Sequence, residues 1–226
     1  AGSGERFGGT VPKQYRDLAG RAVIRRSVEA LLHHPAVDAV QLVINPAHRA
    51  QYDRCLAGLA LPEPVAGGAS RHDSVRLGLE ALARRAASPA FVLIHDGARP
   101  LVDAATIARV RAALDAGPAA IAAVPVVDTL KRETAGFSAG TVDRAGLWRA
   151  QTPQGFRFDA ILAAHRRLAE STENDQPTDD AAVAEWAGLR VALVPGAEEN
   201  LKVTSEQDLD RAARLLAAEP AEFRTG

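Results

Sequence analysis

The stretch AGSGERFGGTVPK at the start of the chain combines the residue types that can bind a polyphosphate. Glycines have no Cβ, so such a loop can turn its backbone N–H groups toward an anion. Arg6 and Lys13 place full positive charges in the same stretch. The spacing matches neither Gly-x-Gly-x-x-Gly nor a phosphate loop that ends in Gly-Lys-Ser/Thr. A flexible, solvated N-terminus is the alternative interpretation of these residues.

Asp96 is a second candidate, because it follows the most apolar segment of the chain, Phe91–Ile94. A carboxylate at the end of a buried strand offers Mg²⁺ a hard oxygen ligand beside the phosphates of a nucleotide. Arg99, three residues later, could form a forked pair with a phosphate. The alternatives are a turn-forming Asp-Gly pair and an arginine that only covers the edge of the sheet.

Two further loops carry residues that could meet a nucleotide. Gly67 and Gly68 form a tight turn into a helix, from which Ser74 could donate a hydrogen bond to a base; ordinary helix capping explains the same pattern equally well. Lys202 lies between a strand and a helix, although a solvated lysine would look the same. The 27 Lys and Arg residues include only three lysines, and all three lie beside loop or turn signals, which favours a function for them.

The composition excludes several other classes of protein. The 226 residues are 47% hydrophobic with a net charge of −1, as expected for one sizeable globular domain without a nucleic-acid or anionic-membrane surface. Cys55 is the single cysteine, and no apolar run reaches membrane-spanning length, so we expect a cytoplasmic protein. Neither His-Glu-x-x-His nor Gly-x-Ser-x-Gly occurs. With these classes excluded, the sequence favours catalysis by charge and positioning, as in phosphoryl or nucleotidyl transfer.

Strands and helices alternate along the predicted chain. Hydrophobic patterning predicts strands at 37–46, 91–94, 119–128 and 189–196. It predicts helices at 20–33, 47–59, 75–82, 107–114, 159–171 and 206–217, with Asp103, Thr178 and Ser205 as N-caps. Glycines punctuate residues 133–150, which favours a β-hairpin-like arm. The order indicates an α/β fold with a mainly parallel sheet and helices on both faces.

In such a sheet, ligands bind at the carboxyl ends of the strands. The segments that follow the predicted strands carry a dense set of polar residues: Asp96, Arg99, Asp128, Thr129, Lys131 and Lys202. We therefore expect these side chains to lie along one edge of the sheet.

Seven segments in order resemble a known family: GSGERFGGTVPKQY, GGASRHDSV, IHDGARP, VVDTLKR, TVDRAGLWRAQTPQGF, TDDAA and NLKVT. Together they are similar to the 2-C-methyl-D-erythritol 4-phosphate cytidylyltransferases of the non-mevalonate isoprenoid pathway. The resemblance implies a Rossmann-like nucleotidyltransferase fold, dependence on Mg²⁺ and a homodimer that forms through the arm. It implies that the phosphate oxygen of methylerythritol phosphate attacks the α-phosphate of CTP, releasing pyrophosphate and forming 4-diphosphocytidyl-2-C-methyl-D-erythritol.

The resemblance also implies roles for single residues. The CTP site would be lined by Ala1, Gly2 and Gly4, and its triphosphate would be bound by Arg6 and Lys13. The cytosine would be contacted by Gly68 and Ser74. Asp96 would orient substrate near Mg²⁺, and Lys202 would complete the set of groups that bind the phosphates. Thr129 and Arg144 would contact methylerythritol phosphate from the partner's arm, and Arg99, Thr152 and Thr178 would line the rest. The resemblance gives Lys131 no role.

Two departures from the family pattern concern the ends of the chain. Family members begin with an apolar strand that leads into an Ala-Ala-Gly turn, whereas this sequence begins inside that turn. The final FRTG resembles the opening of a fused cyclodiphosphate synthase domain, so we expect a cytidylyltransferase domain at 1–218 and a linker or the start of a second domain at 219–226.

A third departure from the family pattern lies within the chain. Ala69 replaces a residue that is acidic in some relatives, which removes a side-chain contact to the base.

Two alternatives for the function remain open at this point. A pentitol-phosphate or sugar-1-phosphate nucleotidyltransferase would share the fold and most of the motifs. A non-catalytic nucleotide-binding module would bind CTP without turnover.

Overall fold

The computed structural model describes residues 11–172 and 177–218. Its strands are β1 (Asp17–Leu18), β2 (Arg21–Ala22), β3 (Val43–Ile44), β4 (Val65–Ala66), β5 (Phe91–Ile94), β6 (Ala119–Pro125), β7 (Leu130–Thr134), β8 (Phe137–Val142), β9 (Trp148–Arg157) and β10 (Val191–Pro195). Its α-helices are α1 (Val23–Leu32), α2 (Arg49–Cys55), α3 (Arg71–Ala83), α4 (Ala104–Ala113), α5 (Phe158–Glu170), α6 (Asp180–Trp186) and α7 (Glu206–Ala218). The alternation of strands and helices agrees with the predicted α/β class.

A four-stranded sheet in the order β10-β6-β9-β5 forms the centre of the fold. β10 runs parallel to β6, whereas β9 runs antiparallel to both β6 and β5. Three of the four strands therefore point the same way, as a mainly parallel sheet requires, and β9 is the reversed exception. Strand β9 was not predicted from the sequence, because the glycine and proline in its TPQGF segment are typical of a turn.

The side chains of the sheet alternate between two hydrophobic layers, because successive residues of a strand point to opposite faces. Val92 and Ile94 of β5 pack with α5 and α6 around Phe156 and Ile161, both of which are fully buried. Leu93 packs instead with Ile107 of α4 on the opposite face. Helices thus cover both faces, as predicted.

Short polar side chains fix where several helices begin. Asp103 accepts a hydrogen bond from the Thr106 backbone N–H at 2.6 Å, and Ser205 Oγ accepts one from Asp208 N–H at 3.2 Å, so both predicted N-caps are confirmed. The prediction for Thr178 is wrong. Helix α6 begins at Asp180, and the preceding residue Asp179 accepts the capping bond from Ala182 N–H at 2.9 Å.

The predicted strand at 37–46 is much shorter in the structure. Only Val43–Ile44 is a regular strand, paired in parallel with the two residues of β4. A strand needs a partner for its backbone groups, and β4 offers pairing over two residues only. The remainder of 37–46 is irregular.

The predicted arm is an exposed antiparallel hairpin of β7 and β8. Its turn places Ala135 and Gly136 at φ 51° and 84°, and Phe137 beside the turn is 79% exposed. The hairpin spans 130–142, earlier than the predicted 133–150, because residues from Trp148 onward pair with β6 in the central sheet. Within the described parts of the chain, no helix is long and apolar enough to cross a membrane.

Candidate active site

The carboxyl ends of β5, β6 and β10 meet at one edge of the central sheet, because these three strands are parallel. We call this edge, with the turn 95–100 after β5 and the loop 196–204 after β10, the rim. The turn is held from two sides: Ser27 of α1 donates a hydrogen bond to Gly97 O at 3.2 Å, and Val203 N–H donates to Ala98 O at 2.8 Å. The rim therefore joins the two segments that sequence analysis singled out.

Asp96 lies between two cations on this rim. Lys202 Nζ lies 2.9 Å from Asp96 Oδ2, and Arg99 Nε lies 3.7 Å from the same oxygen. Burial works to raise the pKa of the Asp96 carboxyl, but the charges of Lys202, Arg99 and Arg71 outweigh it and hold the pKa below its usual value. The predicted convergence of Asp96, Arg99 and Lys202 is thus present in the structure, and Asp96 is ionised at neutral pH.

The loop after β10 also braces Arg99. The Arg99 guanidinium donates a hydrogen bond to Asn200 O at 2.7 Å, and only 12% of its side chain is exposed. Arg99 Nε is buried without a hydrogen bond of its own. A nearly buried guanidinium held rigidly beside a carboxylate is a fixed positive charge, which is what an anionic ligand at the rim requires.

Thr152 of β9 lies beneath the Asp96 turn. Its side chain hydroxyl accepts a hydrogen bond from the Asp96 backbone N–H at 3.0 Å and lies 3.0 Å from His95 Nδ1. Thr152 is only 5% exposed. Burial lowers the pKa of His95 to about 4, so the imidazole is neutral at pH 7. Sequence analysis placed Thr152 at the site but gave His95 no part in it.

The predicted cytosine loop closes onto the first turn of α3. Gly68 N–H donates to Ser74 Oγ at 3.1 Å, and Ser74 Oγ donates to Ser70 O at 2.9 Å. Ser70 is the N-cap of α3, accepting from Asp73 N–H at 3.0 Å. The structure therefore brings Gly68 and Ser74 into direct contact, and their role toward a base remains a prediction.

Arg71, the first residue of α3, forms an ion pair that the sequence did not reveal. Its guanidinium donates to Asp180 Oδ2 at 2.6 Å, and His165 Nε2 lies 3.2 Å from Asp180 Oδ1. Asp180 is fully buried. Burial works to raise the pKa of Asp180, but hydrogen bonds from His165 and Arg71 outweigh it and the pKa is lowered. Arg71 also lowers the pKa of Asp96, so it belongs to the electrostatic surroundings of the rim.

The remaining predicted residues are dispersed. Thr178 is exposed just before α6, and Thr129 is exposed between β6 and β7. Arg144 donates to Val127 O at the base of the arm. Lys131 donates to Thr141 Oγ1 at 2.6 Å across the hairpin, which gives this lysine a structural contact.

Lys13 is the first residue of a one-turn 3₁₀-helix, Lys13–Tyr15, and is half-buried. Tyr15 of the same turn packs into the cluster around Ile24 and Val28 of α1. The other residues of the predicted phosphate loop lie outside the described residues: Ala1, Gly2, Gly4 and Arg6. Their roles, like that of Lys13, stay predictions.

Asp96 is the one predicted metal ligand. In the described parts of the chain, no three His, Cys, Asp or Glu side chains come together as a metal cage. Mg²⁺ at nucleotide sites takes one or two carboxylates and fills its other positions with phosphate oxygens and water. An ionised carboxylate on the rim fits that requirement, so Asp96 is the residue that would hold the ion.

An ionised carboxylate with two cations beside it, at the carboxyl edge of a mainly parallel α/β sheet, is the arrangement expected of a site for a phosphorylated ligand. The α/β fold and this charged cluster, which can act by position and charge, fit the nucleotidyltransferase class.

The comparison with known proteins makes the assignment specific. The family model of 2-C-methyl-D-erythritol 4-phosphate cytidylyltransferase (IspD) matches residues 1–218, and the chain belongs to this family. The predicted resemblance, and the prediction that the chain is of an enzyme family, are therefore confirmed.

The curated relatives have a longer chain. The bifunctional enzyme IspD/IspF of Paramagnetospirillum magneticum is 56% identical over 225 residues, covering 100% of this chain and 57% of the relative. That of Rhodospirillum rubrum is 57% identical over 220 residues, covering 97% of this chain and 56% of the relative. The chain thus spans little more than half the length of these relatives.

Solved structures show the same fold. A crystal structure of 4-diphosphocytidyl-2C-methyl-D-erythritol synthase aligns with a TM-score of 0.80 at 34% identity, covering 91% of this chain and 94% of that one. The cytidylyltransferase of Thermus thermophilus aligns with a TM-score of 0.75 at 31% identity, covering 94% of this chain and 96% of that one. The Rossmann-like nucleotidyltransferase fold is therefore confirmed.

Proposed function

We propose that the chain transfers CMP from CTP to 2-C-methyl-D-erythritol 4-phosphate, giving 4-diphosphocytidyl-2-C-methyl-D-erythritol and pyrophosphate. The observation that supports this most directly is the cluster of Asp96, Arg99 and Lys202 on the rim of a cytidylyltransferase fold. We also propose a cytoplasmic location, where CTP is available as a substrate.

In the proposed reaction, a phosphate oxygen of the alcohol phosphate forms a bond to the α-phosphorus of CTP. The bond from that phosphorus to the bridging oxygen breaks, and pyrophosphate leaves with the electron pair. Both reactants are polyanions, so cations are needed to bring them together and to stabilise the charge of the transition state. The ammonium of Lys202 has three donors, so its bond to Asp96 leaves two for phosphate oxygens.

The proposal also gives the other predicted site residues binding roles toward the nucleotide. Arg6 and Lys13 bind the triphosphate, the loop with Gly68 and Ser74 meets the cytosine, and Arg99 fixes positive charge at the rim. Bound Mg²⁺ would supply charge neutralisation on the phosphates, with Asp96 as the protein ligand that holds it.

The arm is proposed to complete the site of a second copy of the chain. Every residue of β7 and all but the last residue of β8 are exposed. Val127, Leu130 and Phe137, at or near these strands, expose 64%, 36% and 79% of their surface. Exposed apolar side chains on a projecting hairpin favour a protein partner. In the homodimer, Thr129 and Arg144 would contact methylerythritol phosphate bound to the partner, with Thr178 lining the same pocket.

A second domain is proposed to be joined to this one in the whole protein. The names of the relatives, bifunctional enzyme IspD/IspF, and the share of their length that this chain covers support it. The domain boundary would then lie near residue 218.

A substrate panel tests the function. The purified chain with CTP and Mg²⁺ should release pyrophosphate with methylerythritol phosphate, and far more slowly with pentitol phosphates or sugar-1-phosphates. Faster release with one of those alternatives would make the chain a different nucleotidyltransferase. Binding of CTP without release from any substrate would indicate a non-catalytic module.

Mixed dimers test the shared site. Subunits with Arg144→Ala lose the donated contact, and subunits with Lys13→Ala lose a triphosphate contact. A heterodimer of the two retains one site with both residues intact, so its pyrophosphate release should recover to about half of the parent rate. No recovery in isolated heterodimers, beside homodimer controls of each variant, would mean that each site is built from one chain.

A further inference from the structure

A chain of three hydrogen bonds runs beneath the Asp96 turn. The Asp96 backbone N–H donates to Thr152 Oγ1 at 3.0 Å. Thr152 Oγ1 lies 3.0 Å from His95 Nδ1, and His95 Nε2 lies 3.2 Å from Arg99 O. The chain thus begins and ends on the backbone of the turn that carries Asp96 and Arg99.

The chemistry of the end groups fixes the direction of every bond. A carbonyl oxygen only accepts, so His95 Nε2 must carry the hydrogen that is donated to Arg99 O. The buried Thr152 hydroxyl has a hydrogen of its own to donate, and His95 Nδ1 at 3.0 Å is the acceptor beside it, so Nδ1 accepts this bond and carries no hydrogen. The same hydroxyl oxygen accepts from the Asp96 N–H, which uses both its donor and an acceptor position.

The same threonine is anchored to the loop after β10. Asn200 Nδ2 donates to Thr152 O at 2.8 Å, and Asn200 O accepts from the Arg99 guanidinium at 2.7 Å. Lys202, two residues further on, pairs with Asp96. Thr152, which is 5% exposed, therefore contacts both segments of the rim, the turn through its hydroxyl and the loop through its backbone carbonyl.

We propose that His95 and Thr152 are positioning residues, which hold the backbone of the Asp96–Arg99 turn so that both side chains face the ligand. The proposal rests on the function proposed above and deepens it. Thr152 acts through the peptide of Asp96, and its hydroxyl takes no part in binding substrate. Displacing a catalytic group by about 1 Å can lower a rate by about 100-fold, so a buried hydrogen bond of this kind has a measurable effect on turnover.

Two matched pairs of variants separate the links. Thr152→Ser keeps the hydroxyl and Thr152→Val removes it. In His95→Asn the amide oxygen stands where Nδ1 stood and can accept from Thr152, whereas in His95→Gln the amide nitrogen reaches only the position of Nε2 and keeps the bond to Arg99 O. We expect Thr152→Val and His95→Gln to lower kcat for pyrophosphate release by about 10- to 100-fold, with KM for both substrates changed less than about three-fold. Thr152→Ser should stay within about three-fold of the parent kcat, whereas His95→Asn, which loses the bond to Arg99 O, should fall as His95→Gln does.

Two kinetic outcomes would overturn the proposal. A rise in KM for the alcohol phosphate in Thr152→Val, with kcat unchanged, would place the hydroxyl on the substrate. Parent-like kcat in both His95→Gln and His95→Asn, beside an impaired Thr152→Val, would show that the histidine has no part in positioning. Urea unfolding of all four variants distinguishes loss of fold from loss of position.

A spectroscopic measurement tests the three hydrogen bonds without any turnover. A negative result there would therefore reject the positioning proposal and leave the proposed function untouched. Ring ¹⁵N spectra of the parent, assigned by the signal lost in His95→Asn, should show His95 as the neutral tautomer protonated at Nε2. The Nδ1 resonance should shift in Thr152→Val, where its donor is lost, and stay close to that of the parent in Thr152→Ser. A tautomer protonated at Nδ1, or a Thr152→Val spectrum identical to the parent, would contradict the proposal whatever the activity.

Discussion

A Cβ added at Gly68 would collide with the side chain of Asp73 in the first turn of α3. At Gly97, beside Asp96, a Cβ would lie 3.5 Å from Ile24 Cγ1, which is ordinary van der Waals contact. Neither glycine has a positive φ, so the space around an added Cβ decides whether alanine is tolerated at each position. An added methyl group would therefore be crowded at Gly68 and accommodated at Gly97.

Gly68→Ala should destabilise the protein by about 1–3 kcal/mol, because α3 or the loop must move to make room. Gly97→Ala, the matched control, should change stability by no more than about 1 kcal/mol, since the methyl group fits and the unfolded chain loses freedom. The free energy of unfolding in urea measures both. Equal stability of the two variants would mean that the approach of Gly68 to α3 is not tight in solution.

The sequence predicted the residues of the rim better than it predicted their supports. Asp96, Arg99 and Lys202 each follow a strand, so the topology of a parallel sheet was sufficient to bring them together. His95 and Thr152 are 57 positions apart and meet because β9 reverses beside β5. Without the antiparallel strand there was no local signal to pair them.

At the scale of elements, the N-termini of α3 and α6 are joined through one buried carboxylate. Asp180 accepts from Arg71 at 2.6 Å and faces His165 of α5 at 3.2 Å. Gln154 of β9 reinforces the link, because its Oε1 accepts from the backbone N–H groups of Asp180 and Ala181 at 3.1 and 3.0 Å. Three helices and the reversed strand therefore meet at Asp180.

Asp180→Asn should lower the free energy of unfolding by about 2–4 kcal/mol at pH 7, because Arg71 loses a buried ionic partner. The folded pKa of Asp180 is lowered, so its stabilisation is complete above the unfolded value of about 3.9 and is lost as the pH falls through the folded pKa. The difference between parent and variant should shrink below about pH 4. Urea unfolding from pH 7 to pH 3 measures it.

The control is Asp210→Asn, which changes an exposed carboxylate on α7 and should cost less than about 0.5 kcal/mol at any pH. A difference between Asp180→Asn and the parent that stays constant down to pH 3 would contradict an ionised, paired Asp180.

The elements themselves were predictable to different degrees. β5 and the helices with an apolar stripe and a polar cap were predicted closely, because burial pattern and capping are local properties. β9 was missed and β3 overestimated, since both depend on which strand lies alongside. The cap of α6 was misplaced by one residue, between two adjacent polar side chains that can both accept a hydrogen bond.

At the scale of the whole molecule, one sheet edge carries the proposed chemistry and one hairpin projects from the fold. The rim is assembled within a single chain from the carboxyl ends of β5, β6 and β10, whereas the arm is an exposed hairpin of β7 and β8. We therefore expect turnover to depend on the cations at the rim and not on exposed cations elsewhere on the surface.

The most direct test of that claim compares two cation-to-alanine variants in pyrophosphate release from CTP and methylerythritol phosphate. Lys202→Ala removes the rim cation 2.9 Å from Asp96, and Arg214→Ala removes an exposed cation on α7. The account predicts that kcat/KM falls by about 100-fold or more in Lys202→Ala, the scale for a lost transition-state donor, and stays within about two-fold of the parent in Arg214→Ala. Equal activity of the two variants would contradict it.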